Sequence, residues 1–407
     1  MTAPLEMSVT TFRPAAKTTE DTANYALVRL TVPQQANLGE TYAELMLVLD
    51  RSGSMFHPPG DRPIDKVIEA VRAVINALRP RDRLGFVTFD DSAKVYCPLT
   101  PGESKRQLLD KLAEFEAECR RGEGGGTSMA PALSEAVKHV RASARDARAA
   151  RIVILTDGQA GDADATLSYV RTLERQNVAA LGFGGFDFNF MNQVCEPSKG
   201  MCEEATDPGQ VKEKFMDELK VAQDTVASNL RLRVRATDYV RLRKSYLIRP
   251  RVTYLGKAQT GPDRTLALDL PPLEKSFGID VLLDLVHLRR DVGTYSAAEV
   301  SVLYDIPSLK LKDQELVDNV VVEYTADSRK LLEANAEVKA AFERGLDEEL
   351  RLELEKADKT GDAAKAEQVM ASIRKSSNSK FVVAAESRKK GGADAAKQMQ
   401  QESRKKT

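Results

Sequence analysis

Tryptophan is absent from the 407 residues, histidine occurs three times and cysteine four. His57, His139 and His287 lack the short spacings of zinc-binding sets. Cys97, Cys119, Cys195 and Cys202 contain no Cys-x-x-Cys pair. They read as reduced thiols, with a Cys195–Cys202 pairing left open by the turn-forming Pro197 and Gly200 between them. No run of about 18 apolar residues occurs, which excludes an ordinary spanning helix. The N-terminus opens without the basic and apolar regions of a secretory signal, so a cytoplasmic setting is expected. The 60 basic and 61 acidic side chains leave a net charge of −1. No general field therefore draws the chain to nucleic acid or to an anionic membrane.

What is present is apolar patterning of two kinds. From 43 to 228, β-rich apolar runs at 45–49, 84–89, 152–156 and 178–183 alternate with helical spacing. Ile64, Val67, Ile68, Val71, Ile75 and Leu78 form one helical stripe, and Met129, Leu133, Ala136, Val137 and Val140 form another. This alternation predicts a doubly wound, mostly parallel α/β sheet. A short edge strand at 94–99 pairs with 84–89 across Asp90-Asp91-Ser92, and a last helix runs over 210–226.

Beyond 228 the period becomes two. Leu230, Leu232 and Val234 alternate with Arg231, Arg233 and Arg235, and Val240 and Leu242 alternate with Arg241 and Arg243. With further strands at 251–255, 265–270, 278–288, 300–306 and 320–324, the pattern predicts an antiparallel β-sandwich. Strands at 8–12 and 25–32 have no helix between them and join this sandwich, so the α/β unit is an insertion within it. The expected division is 1–42 (N-terminal strands), 43–228 (α/β unit), 229–326 (sandwich), 327–384 (a C-terminal helical segment broken at 359–362) and 385–407 (a disordered tail).

The chemistry gathers at the carboxyl ends of the α/β strands, where an open parallel sheet binds its ligands. Asp50-Arg51-Ser52-Gly53-Ser54 follows the first run, Asp157 follows the run at 152–156, and Thr127 follows Gly124-Gly125-Gly126 and opens a helix. Two carboxylates and three hydroxyls suit a hard divalent cation. Hydroxyls give oxygen without charge, so the ion stays under-neutralised and partly open. Arg51 reads as a solvated rim residue.

These residues resemble the metal-ion-dependent adhesion site (MIDAS) of the von Willebrand factor A (VWA) family. Asp50-x-Ser52-x-Ser54, Gly-Gly-Thr127 and Thr156-Asp157-Gly158 match its motifs, and Leu84-Gly-Phe-Val-Thr-Phe and Pro131-Ala-Leu fit its wider pattern over about 43–225. The resemblance implies direct ligation by Ser52, Ser54 and Thr127, with Asp50 and Asp157 binding directly or through water. It implies Mg²⁺, or Mn²⁺ or Ca²⁺, and a protein partner whose Asp or Glu completes the shell. Similar bacterial proteins with a flanking sandwich work beside a metal-dependent serine/threonine (PP2C-type) phosphatase, a forkhead-associated domain protein or a MoxR-type ATPase. A role without catalysis follows, in intracellular bacterial signalling or complex assembly.

Other readings stay open at this stage. A scaffold with a structural or vestigial metal site would bind through its helices or sandwich, for instance through an Arg-rich face over 231–243. A hydrolase would recruit Ser54 and His57, although the Gly-x-Ser-x-Gly elbow is missing. A dehalogenase-type phosphatase needs an Asp where Ser52 stands. Phe183, Phe186, Phe188 and Phe190 either pack in the core or line a partner surface, and Glu348-Glu349 offer an internal sixth ligand.

Overall fold

The computed structural model describes residues 4–375 apart from 123, 144–147, 157–159, 174–177, 184–186, 199, 201 and 206–207. In chain order the elements begin with β1 (Glu6–Thr11), β2 (Ala15–Lys17) and β3 (Thr22–Thr31). Next come β4 (Tyr42–Asp50), α1 (Pro63–Ala77), β5 (Arg83–Phe89), β6 (Ala93–Pro101), α2 (Lys105–Arg121), α3 (Met129–Ser143), β7 (Arg148–Thr156) and α4 (Ala163–Val170). They continue with β8 (Val178–Phe183), α5 (Phe188–Cys195), β9 (Cys202–Ala205) and α6 (Pro208–Asp224). The strands β10 (Thr225–Ala236), β11 (Val240–Arg249), β12 (Thr253–Lys257), β13 (Thr265–Asp269), β14 (Leu273–Glu274), β15 (Ile279–His287), β16 (Gly293–Ile306) and β17 (Leu311–Thr325) follow. The described chain closes with α7 (Ser328–Leu332), α8 (Ala336–Thr360) and α9 (Ala363–Lys375).

The six-stranded sheet β6-β5-β4-β7-β8-β9 is parallel except for its edge strand β6. Leu45, Leu47 and Leu49 of β4 face a core built with α1, α2 and α6, while Met46 and Val48 face α3, α4 and α5. Both faces are covered, so β4 reads as an unbroken apolar run. The strand order reverses between β4 and β7, which is where a doubly wound sheet opens its crevice. Every residue of the two expected helical stripes is buried. Helix α2 and strand β9 were not legible in the sequence. Nine of the seventeen residues of α2 are charged, and its buried side is only Leu108, Leu112, Phe115 and Cys119.

Two further sheets, β1-β3-β15-β11-β12 and β13-β10-β16-β17-β2, enclose one shared core that includes Val28, Leu283, Val300 and Val322. The chain leaves the sandwich after β3 and returns from α6 straight into β10, so the α/β unit is inserted as expected. Strand β10 begins at Thr225, ahead of the expected boundary at 228, because Thr225 and Ala227 already pair with β14. The β16–β17 hairpin is longer than its apolar cores at 300–306 and 320–324. The outer half of β17 alternates exposed with half-buried residues, and polar side chains predominate in it.

The single Arg-rich face does not form. Strand β10 lies in one sheet and β11 in the other, with Arg231 on Asp269, Arg235 on Glu299 and Arg243 on Asp284. Helix α8 covers the outer face of the β3–β15–β11 sheet with Val338 and Ala341, and Tyr25 stacks on Phe342 at 4.1 Å. Glu348 and Glu349 are committed within this packing, to Arg351 and to Lys244 with Tyr246. Gly361, at φ +68°, ends α8, inside the expected break at 359–362. Residues 376–407, with the expected tail at 385–407, lie outside the described residues.

Cys97, Cys119, Cys195 and Cys202 are free and buried. His287 is fully buried, with Nε2 3.2 Å from Asn24 Nδ2, and burial lowers its imidazole to about 4. Among the described residues no helix is long and apolar enough to cross a membrane.

Candidate metal centre

Strand β4 ends on Asp50, which is fully buried at the head of the sheet. One carboxylate oxygen, Oδ1, accepts the Ser52 N–H at 2.7 Å. The other, Oδ2, accepts the Thr156 hydroxyl at 2.6 Å from the end of neighbouring β7. The carboxylate is thus clamped across the switch point, with its orientation fixed before any ligand arrives. Ser52 is 3% exposed and caps the short 3-10 turn Gly53–Phe56, while Ser54 is exposed. The donors therefore grade from core to solvent.

The hydroxyl oxygens of Ser52 and Ser54 lie 3.1 Å apart. Neighbouring corners of an octahedron with bonds of about 2.0–2.1 Å are separated by about 2.9 Å. The pair therefore fits one edge of a magnesium-sized shell after a shift of tenths of an ångström. Hard oxygens, one of them on a carboxylate held rigidly behind the hydroxyls, are the donor chemistry such an ion requires.

The glycine segment packs on this loop. Gly53 N–H donates to Gly125 O at 3.1 Å, and Ser52 and Gly125 form a parallel bridge. A Cβ on Gly124 would lie 2.4 Å from Arg51 O and from Ser52 C and O. Those are backbone atoms, so the two loops would have to part. At Gly126 the clash is with the side chain of Asp91, which can swing away. Gly124→Ala is therefore expected to cost about 1–3 kcal/mol, as overpacking does, and to weaken cation affinity more than Gly126→Ala. Denaturant unfolding and Mn²⁺ titration of both variants check this; equal effects at the two positions would contradict it.

Thr127 is half-buried, and its segment is anchored on both sides. Gly161 N–H donates to Thr127 O at 2.8 Å, and Ser128 N–H donates to Asp90 O at 2.7 Å. The Asp50–Ser54 loop and the segment leading to Thr127 are thereby brought to one rim. Asp157 lies outside the described residues; β7 ends at Thr156, immediately before it.

The sequence does not give the supporting residues their roles. Arg51 is not simply solvated: it forms an ion pair with Asp90, its Nε 3.0 Å from Oδ2, and so ties the β5–β6 turn to the Asp50 loop. Burial would raise the Asp90 carboxyl, but the hydrogen bond from Arg51 and that from the Ser92 N–H hold it below the usual range. Asp91 accepts the Gly126 N–H at 3.0 Å. Asp162 accepts the N–H groups of Met129 and Ala130, both at 2.9 Å. Apart from the local Ser92 bond, each of these contacts joins segments more than 30 residues apart, and no local pattern announces it. The hydroxyl of Ser54 is hydrogen-bonded with that of Ser52, and exposed His57 meets Ser54 through its backbone N–H at 3.3 Å. Phe190 is buried and Phe188 packs against the same core; the Phe183 side chain and Phe186 lie outside the described residues.

Comparison with known proteins bears on the fold that carries this site. Residues 44–217 match the von Willebrand factor type A domain. An uncharacterized Synechocystis protein is 27% identical over 176 residues, covering 42% of this chain and 39% of its own length. A probable E3 ubiquitin-protein ligase of Arabidopsis thaliana is 33% identical over 121 residues, covering 28% of this chain and 16% of its own. A von Willebrand factor A domain-containing protein of Dictyostelium discoideum is 23% identical over 201 residues, covering 47% and 22%. The chain thus spans well under half the length of these curated relatives.

Two solved structures share the whole architecture. The von Willebrand factor type A protein from Catenulispora acidiphila has a TM-score of 0.71 at 16% identity, over 94% of this chain and 89% of that one. The ArnB paralog VWA2 from Sulfolobus acidocaldarius has a TM-score of 0.62 at 13% identity, over 99% and 98%. The doubly wound sheet with Asp50 at its switch point, the family match and these two folds agree: residues 44–217 match the von Willebrand factor type A domain and have a fold like it.

Proposed function

We propose that Asp50, Ser52, Ser54, Thr127 and Asp157 hold a divalent cation, Mg²⁺ foremost with Mn²⁺ or Ca²⁺ as chemical alternatives, and that the site captures an acidic side chain of a protein partner. The observation that supports this is the Ser52–Ser54 hydroxyl edge, 3.1 Å across, in front of a fully buried and clamped carboxylate. When bound, the cation supplies an exchangeable position for a foreign carboxylate. The chain's own groups do the rest. Thr156 and the Ser52 N–H orient Asp50, the exposed Ser54 places one donor at the surface, and the glycine segment lets the chain leading to Thr127 pack closely on the loop. Three of the five donors are uncharged, so the ion keeps positive charge for the incoming acid.

The role is assembly without catalysis, in intracellular bacterial signalling or complex formation. A PP2C-type phosphatase, a forkhead-associated domain protein and a MoxR-type ATPase are the partner classes to test first. Purifying the full chain from cells in magnesium, in EDTA and as Asp50→Ala tests the reading. A partner held by the wild-type chain in magnesium alone is expected. Retention indifferent to both chelator and substitution would contradict it, as would hydrolytic turnover that depends on Ser54.

A further inference from the structure

Helix α3 begins at Met129, two residues after Thr127. The first N–H groups of a helix lack intrahelical acceptors and carry a positive pole of about half an elementary charge. A cation held at Thr127 sits beside that pole and is repelled by it. The first turn of α3 contains no acidic residue of its own. Relief comes from another segment. Asp162 Oδ1 accepts the Met129 N–H and Oδ2 accepts the Ala130 N–H, both at 2.9 Å.

Asp162 is also the residue that caps α4, and an Asp there ordinarily accepts an N–H of its own helix. Here its side chain makes no such bond to α4. The carboxylate is turned across to α3 and steadied by the Thr166 hydroxyl at 3.2 Å, while the adjacent Gly161 N–H holds Thr127 O at 2.8 Å.

We infer that Asp162 is a positioning residue for the cation site: its negative charge offsets the pole of α3 beside Thr127, and its two bonds fix the Thr127 segment to the start of α4. This rests on the cation-binding reading above. Among the described residues the Asp162 side chain bonds to Met129, Ala130 and Thr166 and to none of Asp50, Ser52, Ser54 or Thr127, so its contribution to that part of the site is electrostatic and geometric.

The experiment uses the full chain and Mn²⁺ alone as probe, with binding followed by the electron paramagnetic resonance of free Mn²⁺ and cation-free melting by circular dichroism. Asparagine caps helices as well as aspartate does, so Asp162→Asn keeps an acceptor and removes the charge. Mn²⁺ affinity is expected to fall about five- to tenfold, with a modest drop in cation-free melting from the one lost acceptor and the lost charge, and the affinity deficit shrinks as salt is raised. Asp162→Ser, another uncharged capping residue, repeats the test if asparagine disturbs the fold. Wild-type affinity in both variants would overturn the inference and leave Asp162 a simple cap. A wild-type chain that binds no Mn²⁺ would instead fail the underlying reading, and the inference with it.

Discussion

Asp50→Ala is expected to weaken Mn²⁺ binding by at least about a hundredfold, equivalent to about 2.7 kcal/mol. The fold holds the Asp50 carboxylate by both of its oxygens, with donors from two different strand ends. Without it, the proposed site loses one of its two carboxylates, and the neutral hydroxyls that make up most of the remainder compete poorly with water. The substitution also strips an acceptor from the buried Ser52 N–H and Thr156 hydroxyl, at about 1–3 kcal/mol of stability. Asp50→Asn separates the two effects, since it keeps an acceptor for one donor while removing the charge. Both variants should lose cation affinity, and the asparagine variant should melt closer to the wild type. Calorimetric titration with Mn²⁺ alongside melting measures this; wild-type affinity in either variant would contradict the assigned role.

The second large effect is a loss of stability in mild acid that comes from the sandwich. Burial lowers the His287 imidazole to about 4, whereas an unfolded histidine titrates near about 6.5. Between those values the unfolded chain takes up a proton that the folded chain refuses. Stability is therefore complete above about 6.5 and declines as pH falls toward 4. At about 1.4 kcal/mol per pKa unit, the full loss is about 3 kcal/mol. His287 is 0% exposed, so solvent screening does little to reduce this. The chain contains no tryptophan, which makes urea unfolding followed by circular dichroism the suitable readout, compared at pH 7.5, 6 and 5. His287→Gln, whatever its absolute stability, is expected to show a flatter dependence over that interval. An equally steep decline in the variant would place the effect on other groups.

The fold was legible wherever burial imposes an unbroken pattern. The apolar run of β4 and the stripe of α1 are buried on every side that the spacing demands, and the arginine–aliphatic alternation of β10 marks a half-exposed strand. It was not legible where polar residues occupy regular structure, as in α2 and the outer half of β17. The candidate ligands lie within short motifs at strand ends and could be named from spacing and resemblance. Their supports could not. The Thr156 hydroxyl reaches Asp50 across 106 positions of sequence, and Asp162 reaches Met129 across 33. These pairings exist because β4 and β7 are neighbours in the sheet and because α3 starts beside the β7–α4 connection. Spacing along one chain carries no trace of such proximity. The arginine stripe shows the reverse failure: one continuous charged pattern was divided between two sheets by the turn at 237–239.

Crystals of the full chain grown with Mn²⁺, with data collected at the manganese absorption edge, show directly whether these residues hold a cation. An anomalous-difference peak is expected at the head of the β4–β7 crevice, about 2.2 Å from the hydroxyls of Ser52 and Ser54, with the Asp50 carboxylate behind it and one position open to solvent or to a neighbouring acid. No peak at that rim in a manganese-saturated crystal, or a peak held by other residues while these hydroxyls still bond to each other, would contradict it.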